Sequence, residues 1–276
     1  MYDESSPAFQ PSGIITLTTD FGHRDPFVGV MKGQMLQRYG AARIVDLTHE
    51  VSPHWPDEAG FWLGRSFRYF PRGTVHVAVV DPGVGTARDV AIVEAEGHLF
   101  LAPDNGLLTG VLGQATSTVT LRRLDATVLP SLEIVRLSAT FHGRDLFAPI
   151  AAELAAGRLA PARLGPVVED LVPGRLAPPA VTDHEVSGVV ATTDHFGNLL
   201  TNIDARMLEN LRSPRILVGG LDLSLQRTYG DVGPGAYVAL INAFGVLEVA
   251  RAGQSAAAGL DLGRGAKVTV RGQAST

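Results

Sequence analysis

The 276-residue sequence contains no cysteine. That excludes a disulfide framework, a thiolate nucleophile and a cysteine-ligated zinc site. Charged residues make up only 18% of the chain and the formal net charge is -5, so there is no basic footprint for nucleic acid. No apolar run is long enough to span a membrane. The acidic, polar opening "MYDESSPAFQPSG" does not read as a signal peptide, and the expectation is a soluble, cytoplasmic protein. What the chain does have is apolar content. Hydrophobic residues reach 45%, enough for one large domain or two ordinary ones.

The first third alternates strand and helix patterns. "GIITLTTD" reads as a buried strand ending in Asp20, and "DPFVGVMKGQMLQRYG" as a helix with Asp25 as N-cap and Gly40 as terminator. Phe27, Val30, Met31, Met35 and Tyr39 fall on one face of that helix at helical spacing. "ARIVDLTH" is a second strand, residues 56–70 a second helix, and "TVHVAVVD" a third strand ending in Asp81. This order predicts a mostly parallel sheet, in which ligands bind beyond the carboxyl ends of the strands. "DVAIVEAEGHLFLAPD" predicts two strands joined by a turn, and residues 145–157 a further helix. Five prolines between residues 161 and 179 mark a boundary, and beyond it short strands separated by Gly/Pro turns predict a small all-β domain. The expected organisation is a tail (1–12), an α/β catalytic domain (13–172), a linker (173–184) and a barrel-like β domain (185–276).

"VVDPGVGTARD", residues 79–89, looks at first like a phosphate loop. It lacks the Lys-Ser/Thr ending, Arg88 stands where a dinucleotide fingerprint needs its third glycine, and a strand follows instead of a helix. A Pro-Gly turn with an Asp81–Arg88 ion pair is the plain alternative. "TDFG" and "FHGRD" echo protein-kinase signatures, but in reversed order and with Gly143 interrupting the second. The histidines of "HEVSPH" are five apart with a proline between them, which argues for core or loop residues over a zinc motif. His142 precedes a helix, whose positive end favours a neutral imidazole able to accept a proton; a capping or packing role is equally open. Asp194, Asn198 and Asn202 fall in one glycine-containing loop, and Asn242 suits an Asx turn.

Taken together, "TLTTDFGHRDPFVGVMKG", "VVDPGVGTAR", "APDNGLL", "SATFHGRDLFAP", "DHFGNLLTN" and "INAFGVLEVA" resemble the S-adenosyl-L-methionine (SAM) hydrolases, or SAM hydroxide adenosyltransferases, relatives of the SAM-dependent fluorinase and chlorinase. The motifs follow in family order over nearly the whole chain. The resemblance implies a homotrimer whose active sites lie between the N-terminal domain of one subunit and the C-terminal domain of a neighbour. It also implies attack of water or hydroxide on the ribose C5′, giving adenosine and methionine, with SAM as substrate and no cofactor or metal. Asp81, Arg88 and His142 would be the catalytic set. Asp20 would hold the ribose hydroxyls, Asp194 the methionine ammonium, with Asp25 either joining it or serving as the N-cap, and Asn198 the adenine; Asn242, Tyr229 and Arg251 would lie nearby. The family often has Tyr at Phe27 and Ser at Ala243. Its halogenating relatives lack the acid and the histidine matching Asp81 and His142. A halogenase, a non-catalytic adenosine or SAM sensor and, more distantly, a dinucleotide oxidoreductase are the competing expectations.

Overall fold

A computed structural model describes residues 9–274; the first eight residues of the expected tail lie outside them. The chain divides into two compact units, Met1–Arg175 and Leu176–Thr276. The first carries β1 (Ile14–Thr19), α1 (Phe27–Arg38), β2 (Arg43–Thr48), α2 (Pro56–Ser66), β3 (Val75–Val79), β4 (Val90–Ala95), β5 (His98–Pro103), α3 (Thr109–Leu112), β6 (Val119–Arg123) and α4 (Ala148–Ala155). Its sheet runs β2-β1-β3-β5-β4-β6. β2, β1, β3 and β5 are parallel, whereas β4 runs antiparallel to both β5 and β6.

β1, β3 and β5 are buried nearly throughout because both sheet faces are covered there, whereas the edge strand β2 is partly exposed. Ile15, Leu17, Val75 and Val77 pack with Met31 and Met35 of α1 and the alanine-rich α4 on one face. Ala78 and Val80 pack with Ala59 and Leu63 of α2 on the other. β1 and β3 are adjacent and in register, Thr19 pairing with Val79, so the residues that follow them leave the sheet side by side. Those residues are Asp20 and, one position further on, Asp81.

Helix α1 departs from expectation at its start. Its cap position is Pro26, no side chain caps it, and Asp25 is an exposed residue outside the helix. The buried face is Val28, Met31 and Met35, while Phe27 and Val30 are 45% and 39% exposed. The expected second helix, residues 56–70, is α2 followed by a single 3-10 turn, Phe67–Tyr69.

The second unit holds β7 (Ala180–Val181), β8 (Glu185–Thr193), β9 (Leu199–Asp204), β10 (Leu211–Val218), β11 (Leu221–Gln226), β12 (Tyr237–Ile241), β13 (Val246–Arg251), α5 (Ala256–Leu260) and β14 (Lys267–Ala274). β8, β14, β10, β11, β12, β13 and β9 pair in a ring that returns to β8, closing a seven-stranded barrel. Closure removes the open edges that short strands would otherwise expose. β7, inside the stretch expected to be linker, pairs with β8.

Candidate active site

The segment Asp81–Arg88 is a compact loop that returns arginine onto acid. Arg88 Nε lies 3.0 Å from both carboxylate oxygens of Asp81, and its Nη2 also donates to Asp81 Oδ2. The two glycines differ in what they do. Gly85 has φ +76°, and a Cβ there would stand 2.1 Å from the Ala139 carbonyl oxygen; at Gly83 the nearest atom is Arg88 Cγ at 3.4 Å. Gly85 is therefore the residue that lets the loop lie against the strand of chain leading to His142. From the other side, Asn105 of "APDNGLL" donates to the Val80 carbonyl at 2.9 Å, bracing the backbone just before Asp81.

His142 sits at the N-terminal edge of a π-helical turn, Gly143–Phe147, that runs directly into α4. Such turns are found frequently at functional sites. Arg88 Nη2 lies 2.9 Å from His142 Nδ1, so one guanidinium joins acid and imidazole. Because Arg88 can only donate, Nδ1 accepts and the neutral imidazole carries its proton on Nε2. Burial, and then the Arg88 charge, hold the His142 pKa below its ordinary value, outweighing Asp81 and Asp145. The sequence-level expectation of a neutral imidazole thus stands, with burial and Arg88 as the causes.

Asp20, Asp81 and His142 line one cavity of about 300 Å³, shared with Phe27, Phe141 and His54. Phe21, Phe27 and Phe141 meet edge to face at 5.3–6.0 Å between centroids and form its aromatic wall. Asp20 Oδ2 accepts the His54 backbone N–H at 2.9 Å. Asp25 does not line this cavity.

The second unit has its own cleft of about 660 Å³, lined by Asp194, Phe196, Asn198, Tyr229 and Arg251 with the 252–255 turn. Asp194 is fixed by the backbone N–H groups of Phe196 and Asn198, at 2.9 and 2.8 Å, and by Asn198 Nδ2 at 2.9 Å. One amide hydrogen of Asn198 and its Oδ1 are left for a ligand. Tyr229 donates to Glu248 Oε1 at 2.8 Å, and Arg251 donates to the Gly235 carbonyl at 3.0 Å while lying over Tyr237. Asn242 does not line the cleft. Its Oδ1 closes the β12–β13 turn by accepting from Phe244 and Val246, and its Nδ2 reaches Glu248 Oε2 at 3.0 Å. Asn202 belongs to β9, not to the 194–198 loop, and bonds the backbone of Val189 and Ala177.

Two residues escaped the sequence reading, and a third, His54, was read only as a core or loop histidine. Phe196, 75% exposed in a polar loop, offers the cleft an aromatic face, and its Phe-Gly context was the available signal. Glu248, 2% exposed, is a carboxylate inside the apolar strand "VLEVA"; burial pushes its pKa up despite the Asn242 and Tyr229 hydrogen bonds. His54 has φ +62°, unusual for a non-glycine residue, and the sequence carries no sign of it. Among the described residues no group of three or more His, Asp or Glu could hold a metal ion, and no helix is long and apolar enough to cross a membrane.

Residues 15–165 match the SAM hydroxide adenosyltransferase N-terminal domain, and residues 188–269 match the C-terminal domain of the same family. A protein of Salinispora arenicola named (R)-S-adenosyl-L-methionine hydrolase is 41% identical over 251 residues, covering 88% of this chain and 92% of its own. A protein of the same name from Thermus thermophilus is 40% identical over 258 residues, covering 91% and 96%. A fluorinase of Actinopolyspora mzabensis is 31% identical over 293 residues, covering 93% and 96%. The crystal structure of an uncharacterized conserved protein from Thermotoga maritima superposes with a TM-score of 0.82 at 32% identity, covering 93% of this chain and 99% of that one.

Proposed function

Because the chain belongs to the SAM hydroxide adenosyltransferase family, we infer that it is an enzyme hydrolysing S-adenosyl-L-methionine to adenosine and L-methionine. The observation that carries the chemistry is Arg88, bonded at once to Asp81 and His142, two residues that line a cavity with Asp20. Relatives named as hydrolases reach 41% identity, against 31–32% for the fluorinases.

Methionine departs from a sulfonium as a neutral thioether, so the leaving group needs no acid. The task is to orient a water in line with C5′ and sulfur and to take its proton. Water attacks C5′, the C5′–S bond breaks with its electron pair going to sulfur, and the water's second proton is released. In our reading Nδ1 of His142 receives that proton. It is free to do so only when the imidazole shifts off the Arg88 Nη2–H, which then faces the developing hydroxide. Asp81 holds the guanidinium fork in place throughout. A base so placed contributes roughly 10²–10⁴-fold in rate, and alignment of the reacting atoms contributes further.

Asp20 accepts the ribose hydroxyls, a carboxylate having lone pairs for both. Asp194 faces the methionine ammonium, Asn198 reads adenine through its remaining N–H and Oδ1, and Tyr229 and Arg251 form walls. Asn242 acts from behind, through Glu248. Asp25, exposed and outside the cavity lining, is the weakest member of the expected set. No cofactor enters this scheme. We propose further that the chain works in the cytoplasm as a homotrimer, with the two cavities of one active site coming from neighbouring copies. In support, the Asp–Arg–His set and the polar cleft belong to different units of the chain; sedimentation at three times the chain mass is the expected result.

The test is His142→Ala. Turnover of SAM should fall by about 10²–10⁴-fold while the Kd for adenosine changes little. Unchanged turnover would remove His142 from the mechanism.

A further inference from the structure

The carboxyl end of β1 carries a buried polar chain for which the reaction has no use. Thr19 and His49 are both fully buried, and Thr19 Oγ1 lies 2.8 Å from His49 Nδ1. On its far side His49 Nε2 lies 3.0 Å from Asp46 Oδ1, and Lys32 of α1 donates to Asp46 Oδ2 at 2.6 Å. On the near side, Thr19 Oγ1 accepts the Phe21 backbone N–H at 3.2 Å. With its proton on Nε2, close to Asp46 but outside hydrogen-bond geometry, His49 accepts the Thr19 hydroxyl proton at Nδ1, and a Thr19 lone pair accepts from Phe21.

This chain grips the residues on both sides of Asp20. It also ties β1 to the loop that follows β2, since Gly22 N–H donates to the His49 carbonyl at 2.8 Å. Five residues beyond His49, the left-handed backbone of His54 aims its N–H at Asp20 Oδ2. An apolar pair would fill the space of Thr19 and His49 without the cost of burying polar groups. What the polar pair adds is direction.

We propose that Thr19 and His49 are positioning residues, fixing the carboxylate of Asp20 in the orientation that receives the ribose hydroxyls. The proposal rests on the reading of Asp20 as the ribose acceptor. Its consequence is specificity: the hydrogen-bonded chain sharpens discrimination between a ribose and a deoxyribose, beyond any contribution to folding.

The experiment measures Kd for adenosine and for 2′-deoxyadenosine by calorimetry on the purified chain and on Thr19→Val, Thr19→Ser, Asp46→Asn and Asp20→Ala. The unmodified chain should prefer adenosine by roughly tenfold or more, the scale of a hydrogen bond to a charged group. Thr19→Val keeps the side-chain shape but loses the hydroxyl, and the preference should fall at least about threefold. Thr19→Ser should restore it. Asp46→Asn, at a partly exposed position that touches neither Thr19 nor Asp20, should lower it in the same direction and covers the case in which Thr19→Val does not fold. If Asp20→Ala lowers the preference while Thr19→Val and Asp46→Asn leave it intact, the positioning role is overturned and the role of Asp20 stands. If Asp20→Ala leaves the preference intact, the ribose reading itself fails.

Discussion

Arg88→Lys isolates what the guanidinium contributes beyond its charge. Arg88 and Asp81 are nearly enclosed, at 11% and 5% side-chain exposure. The fork reaches both carboxylate oxygens of Asp81 and the imidazole of His142 together. An ammonium can stay paired with Asp81 but cannot hold both partners in that geometry. The variant therefore loses about one charge-assisted hydrogen bond to the reacting centre, worth ~1.5–3 kcal/mol, or roughly 10–150-fold in turnover at 1.36 kcal/mol per tenfold. Stability should suffer much less, because Asp81 keeps a cation: about 1 kcal/mol, or roughly 2–4 °C in Tm. Arg88→Ala, which strands the buried carboxylate, should cost about 3–5 kcal/mol. Adenosine release at saturating SAM, measured beside thermal melts of both variants, gives the two numbers. Full turnover by Arg88→Lys would show that positive charge alone suffices and would refute the shared-donor account.

Gly85→Ala should lose most activity and melt lower, because its Cβ would strike the Ala139 carbonyl, whereas Gly83→Ala should keep most of both; equal losses in turnover assays would contradict the distinction. Acid stability should depend on His98, which is 4% exposed and bonded to the buried His76. Burial, helped by Arg72, pushes its pKa down to about 4. The unfolded chain takes up this proton below about pH 6.5 while the folded chain does not, so the stability present above that pH falls by about 3 kcal/mol as pH drops to about 4. His98→Gln, which cannot titrate, should show a correspondingly shallower loss in urea melts between pH 7 and 4.5, and an identical slope would assign the acid sensitivity elsewhere.

Local chemistry made parts of this molecule legible in sequence. β1 and β3 could be read as buried strands because their apolar runs end in acids, and parallel pairing then places Asp20 and Asp81 at one end of the sheet. Asp81 and Arg88 are close enough in sequence for an ion pair to be readable from their spacing. The bond from Arg88 to His142 spans 54 positions and depends on Gly85 docking beside Ala139, which no local pattern encodes. The start of α1 was misread because Asp-Pro is an equally good cap or pre-helical turn, and tertiary packing chose the turn. Glu248 was passed over because a carboxylate in a strand normally faces water, and this one is turned inward by two hydrogen-bond donors.

The central claim is hydrolysis at C5′ by a water held at Arg88 and His142. The most direct measurement is incubation of the purified chain with SAM, with and without chloride, following adenosine, methionine and released acid together. The account predicts equal amounts of adenosine and methionine, one proton per turnover, and no dependence on chloride. A halide-dependent nucleoside, or SAM retained without turnover, would contradict it.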